Sequence, residues 1–338
     1  MKNTFPEFQN KTHEKLNDML ENGIIIFDTN VLLNLYRYST ATREELKKVI
    51  EWCKDRVFMP YQIGYEFYKN RLIIIDDLVH QHEKIEKNID KFLLECGNIC
   101  RQNSDFYRII NDYTSKLKDK ISQENQQREH FEDNDTIRIF LEKIYDGRVG
   151  KNFKEIDINK EAQERISKNI PPAYKDKSKD NGNQYGDFYI WKQMLNEAKK
   201  QKKDLIFITE DIKEDWWQII SGKKIGPRTE LIKEFMDFNQ GKEFHMYRIS
   251  EFMPLIAKVM QKKIHHKALE EIKKIAENAN SDDNHKLNGN DDKTAQKPIY
   301  SLKDVLEKIV QERYTKALAQ ALMEYDSHNS QKSCEKEK

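Results

Sequence analysis

The sequence predicts an α/β fold: a three-layer α/β/α sandwich with a mostly parallel central sheet, a long helical insertion and a helical carboxyl-terminal tail. Three observations predict it. Short runs at 24–27, 57–59, 205–209 and 243–248, the first of them continuously apolar, read as strands. Helical patterns separate these runs, as in the alternation that builds a parallel sheet. Finally, acidic residues stand at the ends of strands or the starts of the helices that follow, where open α/β sheets place their ligands.

The first run is "GIIIFDT", residues 23–29; it delivers Asp28, after which Val31, Leu32, Leu35 and Tyr36 recur at helical spacing. The segment "RVFMPYQIGYEF" repeats the arrangement, with a short strand at 57–59, Pro60 opening a helix, and Glu66 in that helix's first turns. From Leu72 through Ile75, Leu78, Val79, Ile85, Ile89, Phe92, Leu93, Cys96 and Cys100, apolar residues keep three-to-four spacing among Lys and Glu. "DFYRIINDYTSKLKDKISQEN" and "DTIRIFLEKIYDG" continue the pattern, so a helical insertion is expected over about 72–170, closed by Pro171-Pro172. "GDFYIWKQML" then starts a helix at Asp187, "KDLIFITED" supplies a strand ending beside Asp211, and "EFHMYRISEF" supplies the last.

A domain over 1–254 is therefore expected, followed by a helical extension over 255–338 that contains a polar linker at about 280–298. The extension opens with one basic amphipathic helix, "LIAKVMQKKIHHKALEEIKKIAENA". It ends with a helix at 301–324, capped by Ser301 and Asp304. The stripe of Leu302, Val305, Leu306, Ile309, Val310, Leu318 and Leu322 must bury against its own domain, a second copy (a homodimer) or a regulatory partner protein.

Composition narrows the function classes. Lys plus Arg number 59 against 58 Asp plus Glu, so any surface for a polyanion must be local. No apolar run approaches the ~20 residues of a spanning helix. No signal-peptide pattern opens the chain, and the cysteines at 53, 96, 100 and 334 form no C-x-x-C pair; a cytoplasmic protein without a membrane partner is expected. The segment near Gly222 lacks the P-loop glycine and Ser/Thr, no G-x-S-x-G elbow occurs, and Asn30 stands where a haloacid-dehalogenase-type phosphatase needs a second acid. His80 and His82 point to different faces of a helix, and Cys96 with Cys100 read as core.

Asp28, Glu66, Asp187 and Asp211 remain, all on one edge of the sheet. Each alone could be a helix cap or a first-turn charge. Together, without a compensating base, they repel and lose solvent, a cost that divalent cations remove. Oxygen donors of this kind suit Mg²⁺ or Mn²⁺, and such ions serve phosphodiester hydrolysis.

These residues resemble those of PIN-domain nucleases. "IIIFDTNVLLNLYRYS" is similar to the family's opening strand and Asp-Thr-Asn turn, "MPYQIGYEFYKNR" to the segment of the second acid, "YGDFYIWKQML" to that of the third, and "FITEDIKEDWW" to the Thr-x-Asp turn of the fourth. "PPAYKDKSKD" and "KKIGPRTELIKEF" look like a bacterial PIN-like branch with a long helical insertion. The resemblance implies a metal-dependent nuclease, an endoribonuclease before a DNA-cleaving enzyme, serving as a toxin or phage-defence effector. The rival reading is a non-catalytic PIN-like RNA-binding or assembly module. By the resemblance Asp28, Glu66, Asp187 and Asp211 hold one or two Mg²⁺ or Mn²⁺ ions, and hydrolysis leaves a 5′-phosphate and a 3′-hydroxyl. Glu210 and Asp215 remain alternatives for the fourth acid, although the spacing from Thr209 favours Asp211. Asn30, Thr209, Asp215 and Asp176 are expected to support the ligands, with Asp180 as a further member. Arg37, Arg71, Lys175, Lys179 and Arg228 are expected to contact backbone phosphates.

Overall fold

The computed structural model of the chain describes residues 1, 4–99, 104–129, 135–153, 155–176 and 183–287. The expected helix at 301–324, the linker beyond residue 287, Cys100, Cys334, Lys179 and Asp180 lie outside the described residues, as does the side chain of Asp176.

The sheet is parallel and three strands wide, in the order β1 (Ile24–Phe27), β2 (Leu205–Ile208), β5 (Phe244–Tyr247). Register is exact enough to align the strand ends: Phe27 faces Ile208, and Ile208 faces Tyr247. Asp28, Thr209 and Arg248 therefore leave the sheet side by side, at the carboxyl edge. Alternation of side chains turns Phe207 onto Trp216, and Phe244 onto Trp191 and Phe235, on one face. On the other face Phe27 and Tyr247 meet Phe252. Helices thus cover both faces, and the strands are apolar except at His245 of β5, the one partly exposed position in the three.

The expected strand at 57–59 is reduced to single bridges: Val57 pairs with Ile25, and Met59 with Val149. Met59 directs its N–H to Arg148 and its carbonyl to Gly150, and Pro60, which has no N–H, ends the run as the helix begins. A hairpin that the sequence reading did not foresee, β3 (Trp217–Ile220) with β4 (Lys223–Pro227), turns on Ser221 and Gly222. Both carry positive φ, 50° and 75°, as a two-residue hairpin loop requires.

The helices that position the site are α1 (His13–Asn22), α2 (Thr29–Arg37), α3 (Thr40–Trp52) and α4 (Tyr61–Ile99), followed by α5 (Asp105–Glu129), α6 (Thr136–Tyr145) and α7 (Glu155–Ser167). Then come α8 (Gly186–Gln201), α9 (Thr229–Phe238), α10 (Ile249–Val259) and α11 (His266–Leu287). Among the described residues, 81–124 form a compact unit of their own. There the outer part of α4 and α5 run antiparallel, with Lys118 on Asp90, His82 facing Glu124 at 4.0 Å, and Ile89 and Ile121 buried. The rest of the stretch read as an insertion contributes Ile137, Leu141, Ile144, Tyr145, Ile158 and Ala162 to the main core.

Two features differ from the reading of residues 249–279. Pro254 sits inside α10, and the single helix expected after it is broken at Gln261, whose φ of 55° ends α10 before α11 begins. Helix α11 docks on α3: the Glu271 carboxylate accepts from Ser39 N (2.5 Å), Ser39 Oγ (2.7 Å) and Thr42 Oγ1 (2.6 Å). No helix among the described residues is long and apolar enough to cross a membrane.

Candidate active site

Asp28 ends β1 and caps α2. Its Oδ1 accepts from Thr29 N at 2.7 Å, while Oδ2 accepts from Asn30 Nδ2 at 2.7 Å and from Thr209 Oγ1 at 2.6 Å. Cap and site residue are one group, because the strand delivers the backbone into the helical turn and leaves Oδ2 facing the next strand's end. Asn30 closes the turn from the other side, accepting from Glu210 N at 3.0 Å. The buried Thr209 hydroxyl is the node of this cluster, since it also accepts from Asp211 N at 2.9 Å and Asn30 Nδ2 at 3.2 Å.

Glu66 arrives from the second turn of α4. Thr29 Oγ1 donates to its Oε2 at 3.1 Å, and Gln62 Nε2, one turn back, donates to Oε1 at 2.8 Å. Gly186, the first residue of α8, packs so closely that a Cβ there would lie 3.0 Å from Glu66 Oε1. That approach brings Asp187 to the same edge. Asp211 is held by an Asx turn, Oδ1 accepting from Lys213 N at 2.8 Å. The Lys213 ammonium then sits between two acids, 3.1 Å from Asp187 Oδ2 and 3.0 Å from Asp211 Oδ2.

The fourth acid can now be sorted by geometry. Glu210 points away: Arg248 donates to its Oε2 from Nε (2.9 Å) and Nη2 (2.7 Å), and Ile249 N donates to Oε1 at 3.0 Å. Burial raises the Glu210 carboxyl, opposed by Arg248. Asp215 is fully buried and holds the loop before α8, its Oδ2 accepting from Ala173 N (3.0 Å) and Lys175 N (3.2 Å). Among the described residues its Oδ1 has no hydrogen-bond partner, and burial followed by the charge of Asp187 pushes its carboxyl up to about 6. Asp211 shares the Lys213 ammonium with Asp187.

Electrostatics ties the acids into one cluster. Burial pushes the Asp28 carboxyl up to about 7; the Thr209 hydrogen bond works against this, and the charges of Asp187, Asp211 and Glu66 add to it. Four segments far apart in sequence therefore present mutually repelling carboxylates at one edge. The donor set is all oxygen and hard, which fits Mg²⁺ or Mn²⁺ in kind. In spacing, no three His, Cys, Asp or Glu side chains among the described residues are drawn tightly enough to share one ion. Lys213 supplies the positive charge between two of them.

Of the basic residues expected at backbone phosphates, Arg37, Arg71, Lys175 and Arg228 are described. Arg37 is exposed in the last turn of α2, with Nη1 donating to Asn34 Oδ1 at 2.8 Å. Arg71 is a strut: it donates at 2.9 Å to the buried Asp135, whose Oδ2 also accepts from Tyr36 Oη at 2.6 Å. Lys175 pairs with Glu214 at 2.5 Å, and Arg228 with Glu230, Tyr174 Oη (3.1 Å) and Glu214 O (3.0 Å).

Sequence reasoning missed Lys213, Arg248, Thr29 and Gln62. The signal for Arg248 was its place directly after β5, matching Asp28 and Thr209 on their strands. Lys224 was also missed: among the described residues its buried Nζ has no hydrogen-bond partner, it lies 4.9 Å over the Trp217 ring, and it is pushed down to about 8 by burial and then by Arg248.

A family model described as "PIN like domain" matches residues 24–231, more than half of the chain and a span that contains all four acids. No curated protein and no solved structure matches the chain.

Proposed function

The chain belongs to the PIN-like domain family, and on that premise we propose that it is a metal-dependent nuclease that hydrolyses phosphodiester bonds within RNA strands. The observation that carries the reading is the gathering of Asp28, Glu66, Asp187 and Asp211 at one sheet edge, close enough that three of these charges raise the fourth. Such repulsion and desolvation cost stability, a cost that the Lys213 ammonium offsets at Asp187 and Asp211.

In this reading Asp28, Glu66, Asp187 and Asp211 would hold Mg²⁺ or Mn²⁺, which when bound would supply an activated water and positive charge beside the leaving oxygen. The chain's own residues prepare that work. Thr209 and Asn30 fix Asp28 by hydrogen bonds to Oδ2, and Thr29 with Gln62 fixes Glu66. Lys213 neutralises Asp187 and Asp211 in the resting arrangement, and its long stem lets the ammonium move to a non-bridging phosphate oxygen.

The same lysine supports a second reading. An ammonium between Asp187 and Asp211 is also what a non-catalytic nucleic-acid-binding module would use in place of an ion.

One experiment separates them: the full chain and Asp28→Asn are incubated with labelled single-stranded and structured RNA and DNA in Mn²⁺, Mg²⁺ or EDTA. The nuclease reading expects RNA cleavage that EDTA and the substitution both abolish. Cleavage that survives both sinks it, and RNA retention without cleavage of any substrate selects the binding module.

A further inference from the structure

Helix α4 has a second face. Successive residues on a helix lie about 100° apart, so Tyr61, Tyr65 and Tyr68 share a stripe turned away from Glu66. Tyr65 and Tyr68 are 50% and 49% exposed, and the Tyr61 and Tyr65 rings lie 6.5 Å apart within 12° of parallel. Opposite them α6 contributes Arg138 and Glu142, and the turn at 145–149 closes one end; together they line a cleft of about 440 Å³. That volume falls within the ~300–1,000 Å³ of small-ligand sites.

The cleft's polar groups are specific. Glu142 Oε1 accepts from Tyr68 Oη and from Arg138 Nη1, both at 2.7 Å, while Oε2 takes no partner among the described residues. The Tyr68 hydrogen bond, against some burial, holds the Glu142 carboxyl below its ordinary value, so it is an acceptor only. An open carboxylate oxygen beside a guanidinium puts an acceptor next to a donor. Guanine offers the complement, the N1–H and N2–H donors next to the O6 acceptor. Adenine offers a ring-nitrogen acceptor where guanine has N1–H.

We propose that this cleft is a base subsite that takes an unpaired guanine, stacked on Tyr65 and Tyr68 and read by Glu142 and Arg138. Glu66 stands one residue from Tyr65, about 100° round the same helix, and the inference rests on the nuclease reading for its substrate. Stacking on exposed aromatic faces is how single strands are held without base pairing. The uncommitted Glu142 oxygen adds a choice of base.

The test measures binding, apart from cleavage. Calorimetric titration of the full chain with GMP, IMP and AMP is paired with anisotropy of labelled oligouridylates containing one guanine or one adenine, using Asp28→Asn to prevent turnover. GMP should bind about ten-fold more tightly than AMP, as a hydrogen bond to a charged group allows, with IMP, which lacks N2–H, between them. Glu142→Gln, which turns a donor toward the base, should bring GMP and AMP level. Tyr65→Ala should weaken both by about ten-fold. Both side chains are on the surface, so unchanged thermal melts show that the variants fold.

Equal affinity for GMP and AMP, or a preference that Glu142→Gln leaves intact, overturns the subsite. Preference among mononucleotides with none among oligonucleotides overturns the assignment to a strand and leaves a free-nucleotide site. Guanine-dependent oligonucleotide binding without cleavage in any metal keeps the subsite and removes the nuclease, whereas cleavage with no base preference does the reverse.

Discussion

Replacing Thr209 by valine removes one hydroxyl and almost no volume, and the structure says where the loss falls. That hydroxyl donates to Asp28 Oδ2 at 2.6 Å and accepts from Asp211 N at 2.9 Å and Asn30 Nδ2 at 3.2 Å. A hydrogen bond to a charged group contributes about 1.5–3 kcal/mol, and a buried donor left without its acceptor costs about 1–3 kcal/mol. Since Asn30 keeps Asp28 as a partner, only Asp211 N is stranded, and a stability loss of roughly 2–3 kcal/mol is expected. The functional effect has a definite sign. The Thr209 bond is the influence that lowers the Asp28 carboxyl against burial, so its removal raises that carboxyl further above about 7. The acid limb of the cleavage profile should then move to higher pH by about one unit, because about 1.4 kcal/mol is one pH unit. The Mn²⁺ concentration for half-maximal rate should rise about ten- to a hundred-fold, the usual cost of losing support behind a ligand. Full pH–rate profiles and Mn²⁺ titrations of wild type, Thr209→Val and Thr209→Ser measure both, with serine expected to restore them. A Thr209→Val enzyme with the wild-type acid limb and metal requirement would refute the proposed role of this hydroxyl.

Gly186→Ala places a Cβ 3.0 Å from Glu66 Oε1, so it should lower cleavage about ten-fold with little change in the melt, alanine being favoured over glycine in a helix by about 0.5–1 kcal/mol. Arg248→Met strands Glu210, which is 5% exposed, and should cost about 3–5 kcal/mol in urea unfolding; Asp211→Asn should abolish cleavage at nearly wild-type stability, and the reverse pattern would exchange the two acids' roles. Burial pushes His245 from 6.5 down to about 3, so the native state favours the neutral ring. Stability from this group is complete above pH 6.5 and is lost as pH falls toward 3, by at most ~1.4 kcal/mol per pH unit; His245→Gln should flatten the urea midpoint between pH 6.5 and 4.

How much could be read in advance differs by element. Residues 24–27 and 205–208 announce buried parallel strands because burial on both faces demands unbroken apolar runs. The hairpin at 217–227 was hidden because its strands are mostly exposed and share no apolar face; its signal was Ser221-Gly222 directly after Ile219 and Ile220. The segment at 57–59 has strand composition, yet Met59 spends its backbone on residues 148 and 150, a choice that composition does not carry.

The acids followed the same division. By itself the sequence determined that Asp28 and Asp211 follow strands and that Glu66 and Asp187 lie in the opening turns of helices, because strand and helix boundaries are local events governed by apolar period, proline and caps. Only the tertiary structure decided which carboxylates meet. It turned Glu210 to Arg248 and Asp215 to the 173–175 backbone, and it placed Lys213 between Asp187 and Asp211. The physical reason is that a carboxylate's partner is set by three-dimensional distance and desolvation, and Asp28 lies 181 residues from the Thr209 hydroxyl that steadies it.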